Sequence, residues 1–248
     1  MSGRSSEIAE PEPAAGEARS PVLVELFTSE GCASCPPADA LLMRLNEEGR
    51  VAGAEVIVLS EHVDYWNYIG WTDPFSSAQY SERQSRYAEA LGSQVYTPQM
   101  VVDGREDFVG SDERQARAAI VRASRERKAQ VGIETSAGAN GKTRVALRVT
   151  ELPTLRAGAR AILLLAITED HLSVAVSRGE NSGRRLSHTS VVRWLKRVAE
   201  LDGGKDFQTE IEVSTASDWK AKDLRAVAIV QESGSGRVLG VGRVKLWD

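Results

Sequence analysis

The sequence predicts an α/β domain followed by a mainly antiparallel, β-sandwich-like domain, with the join near residue 130. Val22 to Phe27 and Ala54 to Ser60 are short, nearly continuous apolar runs, as buried parallel strands tend to be, and a helix-period segment lies between them. An Arg/Ala/Glu-rich helical stretch then closes the first half at about Gln130. From Val131 the pattern changes to strand-like runs, VGIETS, TRVALRV, AILLLAITE, FQTEIEV, RAVAIVQE and GRVLGVGRVKL, separated by Gly, Asn, Asp or Ser turns.

The first 20 residues are rich in Ser, Pro, Ala and Glu and lack a hydrophobic core segment, so 1–20 reads as a disordered tail and not a secretory signal. The α/β part occupies 21–130. Its first helix is predicted after the strand at 22–27, with Ala38, Leu41, Leu42 and Leu45 on one face and Gly49 as its stop. The segment 62–75 is aromatic and turn-prone. Ser76 to Leu91 reads as a polar-faced helix ended by Gly92. Thr97-Pro98 introduces a strand that turns at Asp103-Gly104 into a hairpin partner, and a helix follows with Ser111 as its candidate N-cap. The β-rich part occupies 131–248, with one interruption: SHTSVVRWLKRVAEL at 187–201 reads as partly helical.

Composition narrows the function. The apolar fraction is 42% and the charged fraction 27%, values ordinary for a globular chain. The longest apolar stretch, at 161–167, is strand-sized, so no membrane span is predicted. The basic residues form no dense run interleaved with aromatics, which argues against nucleic-acid binding. Residues 1–130 carry a formal net charge of −8 and residues 131–248 one of +4, so the halves attract. The chain as given reads as cytoplasmic, or as periplasmic if an export signal precedes it.

The chemistry centres on Cys32 and Cys35, the only cysteines, two residues apart at the first strand-to-helix junction. Thiol–disulfide exchange needs one thiolate open to attack and a second thiol able to resolve the mixed disulfide. At a helix start the first cysteine is exposed and its thiolate gains from free N–H groups and the helix dipole; the second is shielded. Cys32 is thus the candidate nucleophile and Cys35 the resolving residue. Pro36 and Pro37 suit the first turn, where a missing N–H costs little. The alternative readings are half of a zinc site, soft-metal handling by the thiolate pair, and chance spacing. No cofactor and no closed metal site are implied.

CASC after VLVELFTSEG, with Thr97-Pro98 and a strand some sixty residues later, resembles the thioredoxin superfamily. The resemblance implies a thioredoxin-like first domain, a cis proline at Pro98 beside the cysteines, and a substrate-contact role for Thr97. More closely, ELFTSEGCASCPPADALL, HVDYWNYIGW, VYTPQMVVDG and RGENSGRRLSHTSVVR together resemble a bacterial thioredoxin-like family of uncharacterised function. Its members often carry an export signal and a β-rich second half.

Further positions complete the candidate site. Glu25, in the strand leading to the cysteines, corresponds in the resemblance to a buried acid that assists proton transfer; a solvated or paired strand acid is the alternative. His62 and Asp64, at the sheet edge where open α/β folds place their sites, are a candidate base near Cys32 or a hydrogen-bonded structural pair. Trp66, with Tyr65, Tyr68 and Trp71, is a platform for a partner peptide or packing between the halves. Glu180, Asn181, His188 and Arg193 order a loop or meet the acidic first half, and Arg178, Arg184, Arg185, Arg193 and Arg197 are a candidate contact for an acidic partner. The expected function is a thiol–disulfide oxidoreductase acting on a protein or small-molecule thiol or disulfide, with an electron donor the sequence does not name. A partner-binding or redox-sensing module is the alternative.

Overall fold

The structure, a computed structural model, describes residues 20–155 and 158–247. The predicted disordered tail lies outside the described residues except for Ser20, whose N–H donates to the Ser124 carbonyl.

β1 (Val22–Thr28) is wholly buried and leads through the cysteine loop into α1 (Pro36–Glu48). Cys35 is the N-cap of α1, Pro36 and Pro37 fill its first positions, and Gly49 ends it at φ 63°, donating to the Leu45 carbonyl. A two-residue β2 (Arg50–Val51) turns into β3 (Ala54–His62), which pairs parallel with β1. α2 (Ala78–Leu91) is capped by the Ser77 hydroxyl and stopped at Gly92. β4 (Gln99–Val102) and β5 (Glu106–Val109) form the hairpin turning at Asp103-Gly104. α3 (Glu113–Ser124) is capped by Asp112, one residue later than Ser111, because the Asp112 carboxylate accepts from the Gln115 N–H.

The second half contributes β6 (Gln130–Ala137), β7 (Thr143–Thr150), β8 (Ala161–Glu169), β9 (Leu172–Ala175), β10 (Arg185–His188), β11 (Val191–Leu201), β12 (Phe207–Val213), β13 (Leu224–Glu232) and β14 (Val238–Lys245). The segment 187–201 is strand, not helix. Its apolar residues Val191, Val192 and Leu195 mimic a helical spacing because bulges between Val192 and Trp194 and between Arg197 and Ala199 shift the alternation.

One sheet runs through both halves, in the order β14-β13-β8-β11-β3-β1-β4-β5 with β2 beside β3. The halves meet where β11 pairs parallel with the end of β3, Val191 opposite Ser60. On one face α1 and α3 cover Val22, Val24, Leu26, Val56 and Val58. On the same face, the three-stranded sheet β12-β7-β6 packs Val145, Leu147 and Val149 onto Leu163, Leu165, Ala226 and Ala228. The other face carries α2, whose Tyr80 joins Leu23, Ile57 and Leu59 to Ala166, Val192 and Val227, while its hydroxyl donates to the Val192 carbonyl at 2.7 Å. A cleft of about 820 Å³ remains between α2 and the strands beside it, lined by Arg86, Ile162, Leu164 and Leu195 among others.

The β4–β5 turn crosses the β13–β14 turn with no room for a side chain. Gly104 sits at φ 61°, and a Cβ there would lie 2.0 Å from the Gly236 carbonyl oxygen. Gly104→Ala is therefore expected to destabilise the protein by about 1–3 kcal/mol or more through overpacking and the positive φ. Because the sheet is shared, urea unfolding followed by tryptophan fluorescence and by circular dichroism should show a single coincident transition in both proteins, shifted to lower urea in the variant.

Candidate functional site

The cysteine loop is set by its backbone. Cys32 N–H donates to the Ser29 carbonyl at 3.1 Å and Cys35 N–H to the Cys32 carbonyl at 3.2 Å, so the loop coils directly into α1. Cys32 and Cys35 are joined as a disulfide with their Cα atoms 5.4 Å apart. Both residues have 0% exposure, whereas Ala33 and Ser34 between them face solvent. The expectation of an exposed first cysteine is thus corrected. Trp66 closes against Gly31 on one side, and the loop between β9 and β10 closes on the other. From that loop Asn181, itself fully buried, donates to the Glu30 carbonyl at 2.9 Å and the Cys32 carbonyl at 3.0 Å. Glu180 accepts the Ala33 N–H at 3.0 Å.

Thr97-Pro98 is a cis peptide bond. Pro98 and Ala38, in the first turn of α1, both border Gly110, where a Cβ would meet them at 3.2 and 3.1 Å. Trp66 Nε1 donates to the Thr97 hydroxyl at 2.8 Å while its Cβ lies against Gly31. One indole thereby ties the cysteine loop to the cis-proline loop. Cys32, Cys35, Trp66, Thr97 and Pro98 are thus linked, and Tyr68, two residues after Trp66, is 83% exposed.

Behind the disulfide lies a buried polar cluster. His62 Nδ1 is 2.7 Å from Asp73, which also accepts the Glu30 N–H at 2.8 Å. Glu30 accepts from Trp71 Nε1 at 2.8 Å and lies 3.2 Å from His188 Nε2, and the rings of His62 and His188 meet edge to face at 4.8 Å. His62 therefore pairs with Asp73 and not with Asp64, which holds Ser81 instead. Burial works to lower the His62 pKa, but the Asp73 carboxylate, with Asp39 and Glu30 behind it, outweighs this and raises it. Burial opposes ionisation of Asp73 too, yet His62 and the amides of Glu30 and Phe75 hold its pKa below the ordinary value.

Asp39, not among the sequence candidates, follows Cys35 by four positions, so both lie on one face of α1. It is 6% exposed, and its Oδ1 has no hydrogen-bond partner among the described residues. Burial raises its pKa, with His188 and His62 pulling the other way. Glu25 is placed differently. It lies on the α2 face of β1, bonded to Arg83 Nε at 2.7 Å and to the Tyr87 hydroxyl, in a cluster with Glu61 and Gln231. There burial pushes the Glu61 carboxyl well above its ordinary range; Arg83 opposes this and Glu25 adds to it. Arg193 pairs with Glu169 at 2.9 Å, Arg197 pairs with Glu200, and Arg178, Arg184 and Arg185 are exposed. Among the described residues, no group of three or more His, Cys, Asp or Glu side chains is arranged to hold a metal ion, and no helix is long and apolar enough to cross a membrane.

Fold and site define a protein with a Cys-x-x-Cys disulfide at a strand–helix junction of one large mixed sheet, covered by a loop from its β-rich half. The chain belongs to the family described as a protein of unknown function (DUF1223), which matches residues 23–231. It is similar to the crystal structure of protein AGR_C_4864 from Agrobacterium tumefaciens, with 28% identity and a TM-score of 0.70 over 93% of this chain and 96% of that one. It shares its fold with HBP35 of Porphyromonas gingivalis, at 14% identity and a TM-score of 0.64 over 93% of this chain and 76% of that one. No curated protein matches the chain.

The His62–Asp73 pair gives a pH signature. With its pKa raised, His62 contributes stability in full below the unfolded value of about 6.5, and this is lost as pH rises through the folded value. With its pKa lowered, Asp73 contributes above about 3.9, and this is lost as pH falls through the folded value. Asp73→Asn should therefore cost about 3–5 kcal/mol at pH 6, as loss of one partner of a buried pair does, and less at pH 9. Urea unfolding at the two pH values reads the difference; an equal cost at both would mean that His62 is neutral in the folded chain.

Proposed function

We propose that this protein is a thiol–disulfide oxidoreductase on a thioredoxin-like framework, with Cys32 and Cys35 as its reacting groups. The observation that carries the reading is the Cys32–Cys35 disulfide at the start of α1, tied through Trp66 to the cis Thr97-Pro98 bond. The strand order β3-β1-β4-β5, parallel in its first pair and antiparallel after it, with α1 and α3 on one face and α2 on the other, supports the thioredoxin-like framework.

In the reducing direction the Cys32 thiolate attacks one sulfur of a substrate disulfide; that bond breaks and the leaving thiolate takes up a proton. Cys35, losing its own proton, then attacks Cys32, re-forms the Cys32–Cys35 bond and frees the second substrate thiol. Two electrons pass to the substrate, and an external thiol restores the dithiol; in the oxidising direction every step reverses. Asp39, buried on α1 four residues after Cys35, is the acid we assign to exchanging the Cys35 proton. Thr97, tied to the reacting loop through Trp66, would meet an extended substrate chain.

Cys32→Ser should abolish turnover of a model protein disulfide, and Cys35→Ser should trap a mixed disulfide through Cys32, visible as an adduct on a non-reducing gel. Full activity in the Cys32→Ser, Cys35→Ser double variant would end the proposal. The reduction potential of the pair then sets its direction: near about −270 mV it serves as a reductant, near about −120 mV as an oxidant.

Burial of both sulfurs favours a second reading, a redox sensor whose disulfide state alters partner binding. Unchanged turnover across the cysteine variants, with partner capture dependent on oxidation, would select it.

A further inference from the structure

The loop between β9 and β10 has one unusual property: its tip, residues 177–184, faces solvent except for one side chain. Ser177, Arg178, Gly179, Glu180, Ser182, Gly183 and Arg184 are exposed, whereas Asn181 has 0% exposure. The Asn181 amide donates to two carbonyls of the cysteine loop, and its oxygen accepts from Arg184 Nη1 at 3.1 Å. Beside it the Glu180 carboxylate takes the N–H of Ala33, the amide between the two cysteines. The loop is closed on itself by Val176 and Arg184, each within 3 Å of a backbone partner (Val176 N–H to the Arg184 carbonyl at 2.9 Å, Gly183 N–H to the Val176 carbonyl at 2.9 Å). Gly179 and Gly183, at φ 74° and 81°, supply the two turns that a side chain would strain.

These contacts fall on the segment whose sulfurs are inaccessible. Dithiol–disulfide exchange needs an attacking sulfur to approach along the disulfide axis, and a disulfide of zero exposure offers no such approach. Pro36 and Pro37 have already removed two N–H groups from the start of α1, and Glu180 occupies the Ala33 N–H as well. A negative carboxylate is thereby held next to the place where a Cys32 thiolate would form, which disfavours that thiolate.

We propose that residues 177–184 form a lid over the Cys32–Cys35 disulfide, with Asn181 as its anchor and Glu180 as its latch, and that the lid must lift before the disulfide can react. The inference rests on the preceding reading only in taking the disulfide as the reacting group. It gives Glu180 and Asn181 positioning roles: neither touches sulfur, and both act through the backbone of the cysteine loop.

The test is the rate at which excess dithiothreitol reduces the oxidised full-length chain, followed by quenching and counting free thiols. In that reaction a reagent thiolate attacks Cys32, the Cys32–Cys35 bond breaks and the Cys35 thiolate takes up a proton. The second reagent thiolate then closes the reagent's ring and frees Cys32 as a thiol, with two electrons delivered. Asn181→Ala should be reduced about tenfold faster than the parent, equivalent to about 1.4 kcal/mol on lid opening. Glu180→Gln, on the surface and harmless to folding, should give a smaller gain of about threefold, since a neutral acceptor bonds more weakly than a charged one. In the reduced chain it should also move the pH profile of Cys32 alkylation to lower pH, which a merely structural residue would not do. Arg178→Ala, on the same loop but outside these contacts, should leave the rate unchanged. Parent-like rates in both Asn181→Ala and Glu180→Gln, or equal acceleration by Arg178→Ala, would overturn the lid. Absent turnover of protein disulfides together with accelerated reduction of the lid variants would overturn the oxidoreductase reading and leave the lid standing.

Discussion

At the end of β3 the Ser60 N–H donates to the Ser190 carbonyl at 2.9 Å, and Val191 enters the sheet as a parallel neighbour of Ser60. This seam is short, but the placement of the site follows from it. The residues just before Val191 must pass over the ends of β1 and β3, where the cysteine loop begins. That passage brings His188 to Glu30, and through the loop before β10 it brings Asn181 and Glu180 to the cysteines. The core beneath α2 reinforces the seam, since Tyr80 touches apolar residues of both halves and bonds to the backbone of β11.

How the two halves share one sheet was not legible in the sequence, whereas most of their elements were. Strands such as Val22–Thr28 and Ala54–His62 announce themselves as continuous apolar runs, and the stops at Gly49 and Gly92 have a local stereochemical cause. A parallel pairing between β3 and a strand that begins some 130 residues later leaves no local trace. Each strand looks the same whether it closes a separate sandwich or extends its neighbour's sheet. The misread segment 187–201 makes the same point at shorter range: bulges rearrange which residues face inward, and the resulting spacing imitates a helix.

The candidate site divides along a similar line. Cys32, Cys35, Trp66, Thr97 and Pro98 could be found because their signals are local or carried by family resemblance. Glu25 drew attention by its place in the strand, but strand alternation turns it to the α2 face, where Arg83 and Tyr87 hold it. Asp39 carries a readable signal, four residues after Cys35 at the margin of a face otherwise made by Ala38, Leu41, Leu42 and Leu45. His62 is legible by its position at the sheet edge, while its partner, Asp73, depends on the course of the chain over eleven positions, which no spacing rule predicts.

Asn181 reaches the Cys32 carbonyl across a sequence separation of 149 residues. The cover of the disulfide is thus supplied by a stretch of chain made long after the cysteines themselves. At typical synthesis rates the interval is on the order of 10–30 s, and in the part of it after the two thiols emerge from the ribosome their shield has not been translated. In the life of each molecule the cysteine pair is therefore open first and enclosed later. Its earliest encounters with oxidants and foreign thiols belong to the nascent chain, before the native protein controls access to it.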